Sequence, residues 1–371
     1  MRMKDRVVQW VRRFTDMPVV GVDISDWSIK YMKITGAGTP VFEAFGEEKI
    51  PEGVIAGGEI KREDELAGVL RELAKKERAC FRGAGVVASL PEEKSFLRPI
   101  RLKKVKAQDL RNAIRWEMEA QIPLPADELV FDYELLSGSG RESGVTDAVI
   151  TAFPRAVVDS YVRVLKSAGF APAALELESQ AIVRAILPDL ASAPALAVID
   201  MGRTRTSFII VAGGGIVFTT TVAVGGALFE ENIVAALGVG QEEAIRIKKE
   251  VGLAKSVEGG KVFSALIPAV GAFADELTRA IQSYQNHLAH IPGGSSDIRG
   301  ILLSGGDANL FGLDTYLASV ARIPCTRADS FAALRPDIGD AIPPIPYHMS
   351  LAYTAAIGLA LRGSPALIHN S

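Results

Sequence analysis

The spacing of hydrophobic positions changes several times along the chain, and each change marks an element. Over residues 19–35 (VVGVDISDWSIKYMKIT) two apolar runs flank Ser25–Trp27. This predicts two strands joined by a tight turn, with a third strand near 41–46. Leu66, Val69, Leu70 and Leu73 then recur at helical spacing over 63–78. AGVVASL at 84–90 reads as a short buried strand. Leu110, Ile114, Met118 and Ile122 are spaced by four, so 107–122 is expected to be helical, stopped by Pro123 and Pro125. Phe131–Leu136 and Ala148–Ala152 are strand candidates either side of the loop SGSGRESG. Val158, Tyr161, Val162 and Leu165 share a face of a helix over 155–168, capped by Gly169. Residues 84–168 therefore read as one compact α+β unit inside the chain.

The pattern then restarts. Ala195–Asp200, Ser207–Val211 and Ile216–Val222 read as strands separated by Gly-rich turns. Helices are expected over 240–251 and 268–290. They are followed by a strand at Gly300–Ser304, a turn at Gly305–Gly306, a helix near 309–321 and a small-residue helix at Ala352–Leu361. VGVDI at 20–24 and AVIDM at 197–201 repeat one plan, a signal of internal duplication. With 371 residues, 48% of them hydrophobic and 23% charged, the chain is expected to fold into two domains with subdomains.

Residues 1–17 place Met3, Val7, Trp10, Phe14 and Met17 on one helical face among five arginines and lysines: Arg2, Lys4, Arg6, Arg12 and Arg13. This fits a helix lying on an anionic membrane or a partner, and equally one packed on its own domain or frayed. A net charge of −3 gives no global basic field, so no nucleic-acid partner is expected. Arg98, Arg101, Lys103, Lys104, Lys106, Arg111 and Arg115 cluster locally, with Trp116 as the nearby aromatic. They read either as a partner or acidic-lipid surface or as a solvated face. Cys80 and Cys325 lie far apart, and His287 and His290 have no acid to complete a ligand set, so neither a disulfide framework nor a zinc site is expected. No apolar run reaches the ~18–20 residues of a membrane span, and no signal peptide is expected.

Three segments carry the candidate chemistry. They are Asp23-Ile24-Ser25-Asp26-Trp27-Ser28-Ile29-Lys30, Asp200-Met201-Gly202-Arg203-Thr204-Arg205-Thr206, and Leu302-Leu303-Ser304-Gly305-Gly306-Asp307. Each alone is weak; in this order they read as a nucleotide clamp. Two hairpin turns facing across a cleft would offer backbone N–H groups and small hydroxyls to a phosphate tail. Asp23 and Asp200 would hold Mg²⁺ through waters. Gly305 and Gly306 would let the backbone approach the nucleoside.

This arrangement resembles the actin/Hsp70/sugar-kinase superfamily, and the resemblance implies an α/β two-domain actin-like fold. It narrows further. Gln121-Ile122-Pro123-Leu124-Pro125, Phe131-Asp132-Tyr133, Thr151–Pro154 with Tyr161, Ser167-Ala168-Gly169, Val222–Gly226 and Ala356-Ile357-Gly358-Leu359-Ala360-Leu361-Arg362 resemble the PilM family of type IV pilus assembly proteins. That family is itself similar to the cell-division protein FtsA. The similarity runs from about residue 19 to 363. It implies a basic amphipathic segment at 1–18, subdomain 1A at 19–83 with 169–194 and 345–363, and an inserted FtsA-type 1C subdomain at 84–168. Subdomain 2A would take 195–238 with 297–344, and 2B would take 239–296.

The resemblance also implies a function. The protein would be a cytoplasmic, ATP-binding adaptor, peripheral at the inner membrane. It would grip the N-terminal cytoplasmic tail of a PilN-like protein in a groove between 1A and 1C, and communicate with the pilus motor ATPases. ATP and Mg²⁺ are the implied cofactors. Asp23, Ser25, Ser28 and Lys30 would form the first phosphate loop, and Asp200, Gly202, Thr204 and Thr206 the second. Gly225 and Gly226 would close the strand pair behind it. Glu243 and Lys248 would lie on the helix flanking purine and ribose, and Gly305 and Gly306 would form the adenosine turn. Glu178 is the positional candidate for orienting an attacking water, against a simpler role ending a strand and capping the next helix.

Two departures stand out. Where the family usually carries Gly after Asp-Ile this chain has Ser25, followed by the acidic Asp26, and Arg203 and Arg205 crowd the second loop, as phosphate partners or as solvated surface. Both bear on affinity and on hydrolysis, which the resemblance leaves at most slow. The alternatives are an FtsA-like self-assembling membrane-associated protein and a small-molecule kinase. Residues 84–168 would occupy the acceptor space that a kinase needs.

Overall fold

The computed structural model describes residues 18–36, 40–103, 105–106, 108–136, 145–287, 295–334 and 343–363. The basic amphipathic segment expected over 1–17, the loop at 137–144, Lys104, His290 and the polar tail lie outside the described residues.

Strands β1 (Val19–Ile24), β2 (Ser28–Thr35) and β3 (Val41–Lys49) form an antiparallel meander. Strands β4 (Ile55–Ala56) and β5 (Glu59–Ile60) pair as a minimal hairpin. On the other side of β1 lies β6 (Gly85–Leu90), parallel to it, because a run buried along its whole length needs cover on both faces. The sheet order is β3-β2-β1-β6-β10, with β10 being Ala171–Leu177. The second half repeats this: β11 (Leu196–Met201), β12 (Thr206–Ala212) and β13 (Gly215–Val222) form the meander. Strands β14 (Gly300–Ser304) and β15 (Cys325–Arg327) add in parallel, giving β13-β12-β11-β14-β15. The duplication read from VGVDI and AVIDM is thus a duplication of whole-sheet topology.

The small-residue helix Thr354–Arg362 is buried between β1 and the helix Glu178–Ile186. A Cβ on Gly358 would sit 1.8 Å from the Ala181 carbonyl oxygen, and one on Gly21 would sit 2.3 Å from that of Ala356. The run of Ala and Gly is therefore what lets a strand and two helices approach.

Strands β7 (Phe96–Lys103), β8 (Leu129–Leu135) and β9 (Val145–Pro154) form a separate antiparallel sheet, order β7-β9-β8. The helix Leu110–Gln121 covers it, over a core of its own that includes Ile100, Ile114, Met118 and Ile150. This insert is narrower than the unit expected at 84–168. Strand β6 belongs to the first sheet. The helix Arg155–Ser167 packs on Glu63–Lys76, burying Tyr161, Val164 and Leu165 in the main core. Tyr161 Oη donates to the Gly58 carbonyl at 3.1 Å, and Arg163 pairs with Glu63 at 2.6 Å. Continuity along the chain had grouped elements that burial separates.

The helix expected from 268 begins at Lys261, with Pro268 in its interior. An interior proline costs ~3 kcal/mol. The apolar stripe Val262, Leu266, Val270, Phe273 and Leu277 is buried continuously through it, and that burial outweighs the lost hydrogen bond.

Candidate functional site

The two meanders bring their first turns to one cleft. Asp23 and Asp200 lie near the carboxyl ends of central strands, where ligands of open α/β sheets bind. The register puts Asp23 opposite Lys30, and Asp200 opposite Ser207 on one side and Ser304 on the other. A cavity of about 510 Å³ is lined by Asp23, Ser25, Ser28 and Lys30 from the first hairpin, and by Asp200, Gly202 and Thr204 from the second. Gly305, Gly306 and Glu178 also line it. Gly305 has φ +87°, and a Cβ there would lie 2.3 Å from the Met201 carbonyl oxygen, so the turn requires glycine.

Five expected residues are placed differently. Glu243 is half-buried, outside the cavity lining, and paired with Arg246. Thr206 is buried in β12 and donates to the Val224 carbonyl at 2.7 Å. Gly225 and Gly226 do not close a strand pair; they begin the helix Gly226–Leu237. Gly226 N donates to the Gly202 carbonyl at 3.0 Å, so these glycines back the second loop. Their small size matters, since a Cβ on Gly225 would lie 2.5 Å from the carbonyls of Gly202 and Arg203. Lys248 does line the cavity, but its ammonium is buried and spent on Glu230, at 2.6 Å, and on Asp307.

Several buried carboxyl groups crowd the cleft. Burial is the main cause that raises the Asp200 carboxyl, to about 7, with the Asp23 charge adding to it. Burial likewise raises Asp23, against the pull of Lys30. Glu178 is raised well above the usual carboxylate range by burial and then by the charges of Asp23, Asp200 and Glu92. Glu92 is raised by burial, although Ser179 N donates to it at 3.3 Å. Asp23 Oδ1 is buried without a hydrogen-bond partner. A divalent cation would relieve both the repulsion and the unmet oxygen. Among the described residues no three His, Cys, Asp or Glu are grouped to hold a metal directly.

The departures in the first loop are accommodated. Ser25 Oγ donates to the Ser28 carbonyl at 2.9 Å and accepts from Ser28 N at 3.1 Å, turning the side chain back on its own hairpin. Asp26 accepts from Gly57 N at 2.9 Å and Gly58 N at 3.0 Å, and it also pairs with Arg205. Arg203 lies 4.4 Å over the Trp27 ring and pairs with Glu230 at 2.8 Å. Neither arginine is mere solvated surface. Sequence reasoning missed Glu92, Glu93, Glu230 and Asp307 as members of this network. The two acids following β6 carried a usable signal, since β6 is a parallel strand whose carboxyl end faces the same cleft as β1.

The family model of the type IV pilus assembly protein PilM matches residues 21–364. The chain belongs to the PilM family. Its fold is similar to that in a solved PilM–PilN type IV pilus biogenesis complex, with a TM-score of 0.76 and 23% identity over 94% of this chain and 99% of that one. It is also similar to MreB5 of Spiroplasma citri bound to ADP, with a TM-score of 0.51 and 13% identity over 85% of this chain and 93% of that one. In sequence, the cell shape-determining protein MreB of Pasteurella multocida is 29% identical over 182 residues, 42% of this chain and 52% of that protein. The match thus spans about half the length of that relative. The fold is actin-like, and among the described residues no helix is long and apolar enough to cross a membrane.

Proposed function

We propose that the chain is a nucleotide-dependent adaptor of the type IV pilus assembly platform, holding Mg·ATP in the cleft and a PilN-like tail elsewhere. The observation that carries the nucleotide half is the meeting of two duplicated hairpin turns, each with a buried Asp, where Asp23 Oδ1 is left without a partner. Asp23 and Asp200 would hold Mg²⁺ through water. Ser28, Lys30, Gly202 and Thr204 would bind the phosphates, with Ser25 shaping the first turn and Thr206, Gly225 and Gly226 supporting the second loop. Gly305 and Gly306 would pass the nucleoside. The cation would neutralise the phosphate charge. Glu178, its carboxyl raised by burial, suits orienting a water better than deprotonating one, which agrees with slow hydrolysis at most.

The partner half rests on family membership and on the likeness to a PilM–PilN complex. The groove would lie between the first domain and the insert, whose sheets each end in an edge strand, β10 and β8. Gln180 donates to Glu134 at 3.2 Å across that junction, and Glu176 holds Arg184 and Arg362 beside it. Extended peptides favour such edges. The protein would then be cytoplasmic, held peripherally at the inner membrane by this partner and in contact with the motor ATPases.

The test is calorimetry with a synthetic peptide of the partner's cytoplasmic N-terminus, with and without Mg·ATP. Binding that a Gln180→Arg substitution abolishes is expected. No heat in either condition would end the adaptor reading.

A further inference from the structure

Across the mouth of the cleft, two guanidinium groups join the two halves of the fold: Arg203 lies over the Trp27 ring, and Arg205 makes ion pairs. Arg205 stands on the turn between β11 and β12. Its two terminal nitrogens reach Asp26, on the turn between β1 and β2, and Glu93, just after β6. Asp26 is held to the first half by hydrogen bonds, whereas the buried Glu93 oxygens meet Arg205 as an ion pair without a hydrogen bond. The Asp26 oxygens each take a backbone amide, from Gly57 and Gly58. Glu93 packs on Gly58, where a Cβ would lie 2.5 Å from its Oε1. The arginine side chain is about one-fifth exposed and lines the same cavity as Gly202 and Thr204.

We propose that Arg205 is a polyphosphate-binding residue masked in the nucleotide-free protein by Asp26 and Glu93, so that the three form a latch between the two halves. The ligand part rests on the nucleotide reading above; the latch itself does not. Of the two arginines in this loop, Arg203 is committed to Glu230 and the Trp27 ring, which leaves Arg205 as the fork that can turn. Two carboxylates on one guanidinium leave an excess negative charge beside Asp23, Asp200 and Glu178. A phosphate carried in with its cation offers Arg205 bidentate oxygens in the same geometry. The carboxylates therefore compete with the ligand, and apparent affinity falls by the fraction of molecules in which Arg205 is free. Asp26, the acid that follows the departure from the family pattern, would thus tune affinity by occupying the arginine.

The test measures binding of a non-hydrolysable Mg·ATP analogue by calorimetry, and the radius of gyration of the nucleotide-free protein by X-ray scattering. Asp26→Asn and Glu93→Gln should each bind about three- to tenfold tighter than wild type, since each removes one competitor. Arg205→Met should bind about tenfold weaker, and adding Asp26→Asn to it should change nothing further. Arg205→Lys, which keeps charge without the fork, should fall between. Without nucleotide, Arg205→Met should expand the protein, while thermal melting checks that it folds. Unchanged or weaker binding by Asp26→Asn would overturn the masking, and a free Arg205→Met protein as compact as wild type would overturn the latch. If no protein binds the analogue while Arg205→Met still expands, the nucleotide reading fails and the latch stands.

Discussion

Replacing Asp200 with Asn should stabilise the nucleotide-free protein, and do so only above mildly acidic pH. The carboxyl is raised from 3.8 to about 7, mainly by burial and next by the Asp23 charge. Between those two values the folded state holds a proton that the unfolded state has released. Stability therefore falls as pH rises through that window and stays low above it. A shift of about three units corresponds to ~4 kcal/mol at about 1.4 kcal/mol per unit. The contribution vanishes below pH 4, where both states are protonated. Asparagine carries no charge at any pH, so the variant lacks this slope. It also removes a like charge from beside Asp23 and Glu178, which acts in the same direction. Urea denaturation of both proteins at pH 5 and pH 8 reads the effect. The variant should gain several kcal/mol over wild type at pH 8 and much less at pH 5. Equal effects at both pH values, or a loss at pH 8, would refute the picture of a desolvated acid awaiting a cation. The same variant should lose the extra stability that Mg·ATP gives wild type, since that gain depends on differential binding to the folded state.

Other substitutions test other parts of the account. Lys248→Met removes a buried ammonium from between the buried Glu230, which keeps Arg203, and the half-buried Asp307, and should cost ~3–5 kcal/mol in urea denaturation. Gly358→Ala drives a methyl to 1.8 Å from the Ala181 carbonyl and should cost about 3 kcal/mol or more in the same assay, beyond the usual overpacking range. Trp116→Ala removes a side chain that is 70% exposed on the insert's helix and should shift stability by less than about 0.5 kcal/mol.

What was legible in the sequence follows from what local pattern encodes. Strands buried on both faces, such as VVGVDI and LAVIDM, announce themselves as apolar runs ending in an acid, so both hairpin turns and the duplication could be read directly. The small-residue helix was legible because Ala and Gly at 355–360 have one physical use, close packing against a strand and a neighbouring helix. Tertiary choices were not legible. Strand β6 and the helix Arg155–Ser167 look like parts of the insert along the chain, yet belong to the first sheet and its core. Pro268 reads as a helix start because nothing local reveals that Val262 and Leu266 are buried ahead of it. Glu243 and Lys248 sit on one helix, but only the three-dimensional arrangement shows one pairing with Arg246 outside the cavity and the other locked between Glu230 and Asp307. The same holds for Asp26, whose charge looks hostile to a phosphate until Gly57, Gly58 and Arg205 are seen to hold it.

The central claim is that Asp23 and Asp200 make this cleft a Mg²⁺-dependent nucleotide site. Its most direct test is calorimetric titration of ATP into wild-type protein with Mg²⁺, then with EDTA, and into Asp23→Asn with Mg²⁺. The account predicts saturable binding in the first titration and its loss in the other two. Binding that survives EDTA and Asp23→Asn unchanged, or no binding by wild type with Mg²⁺, would contradict it.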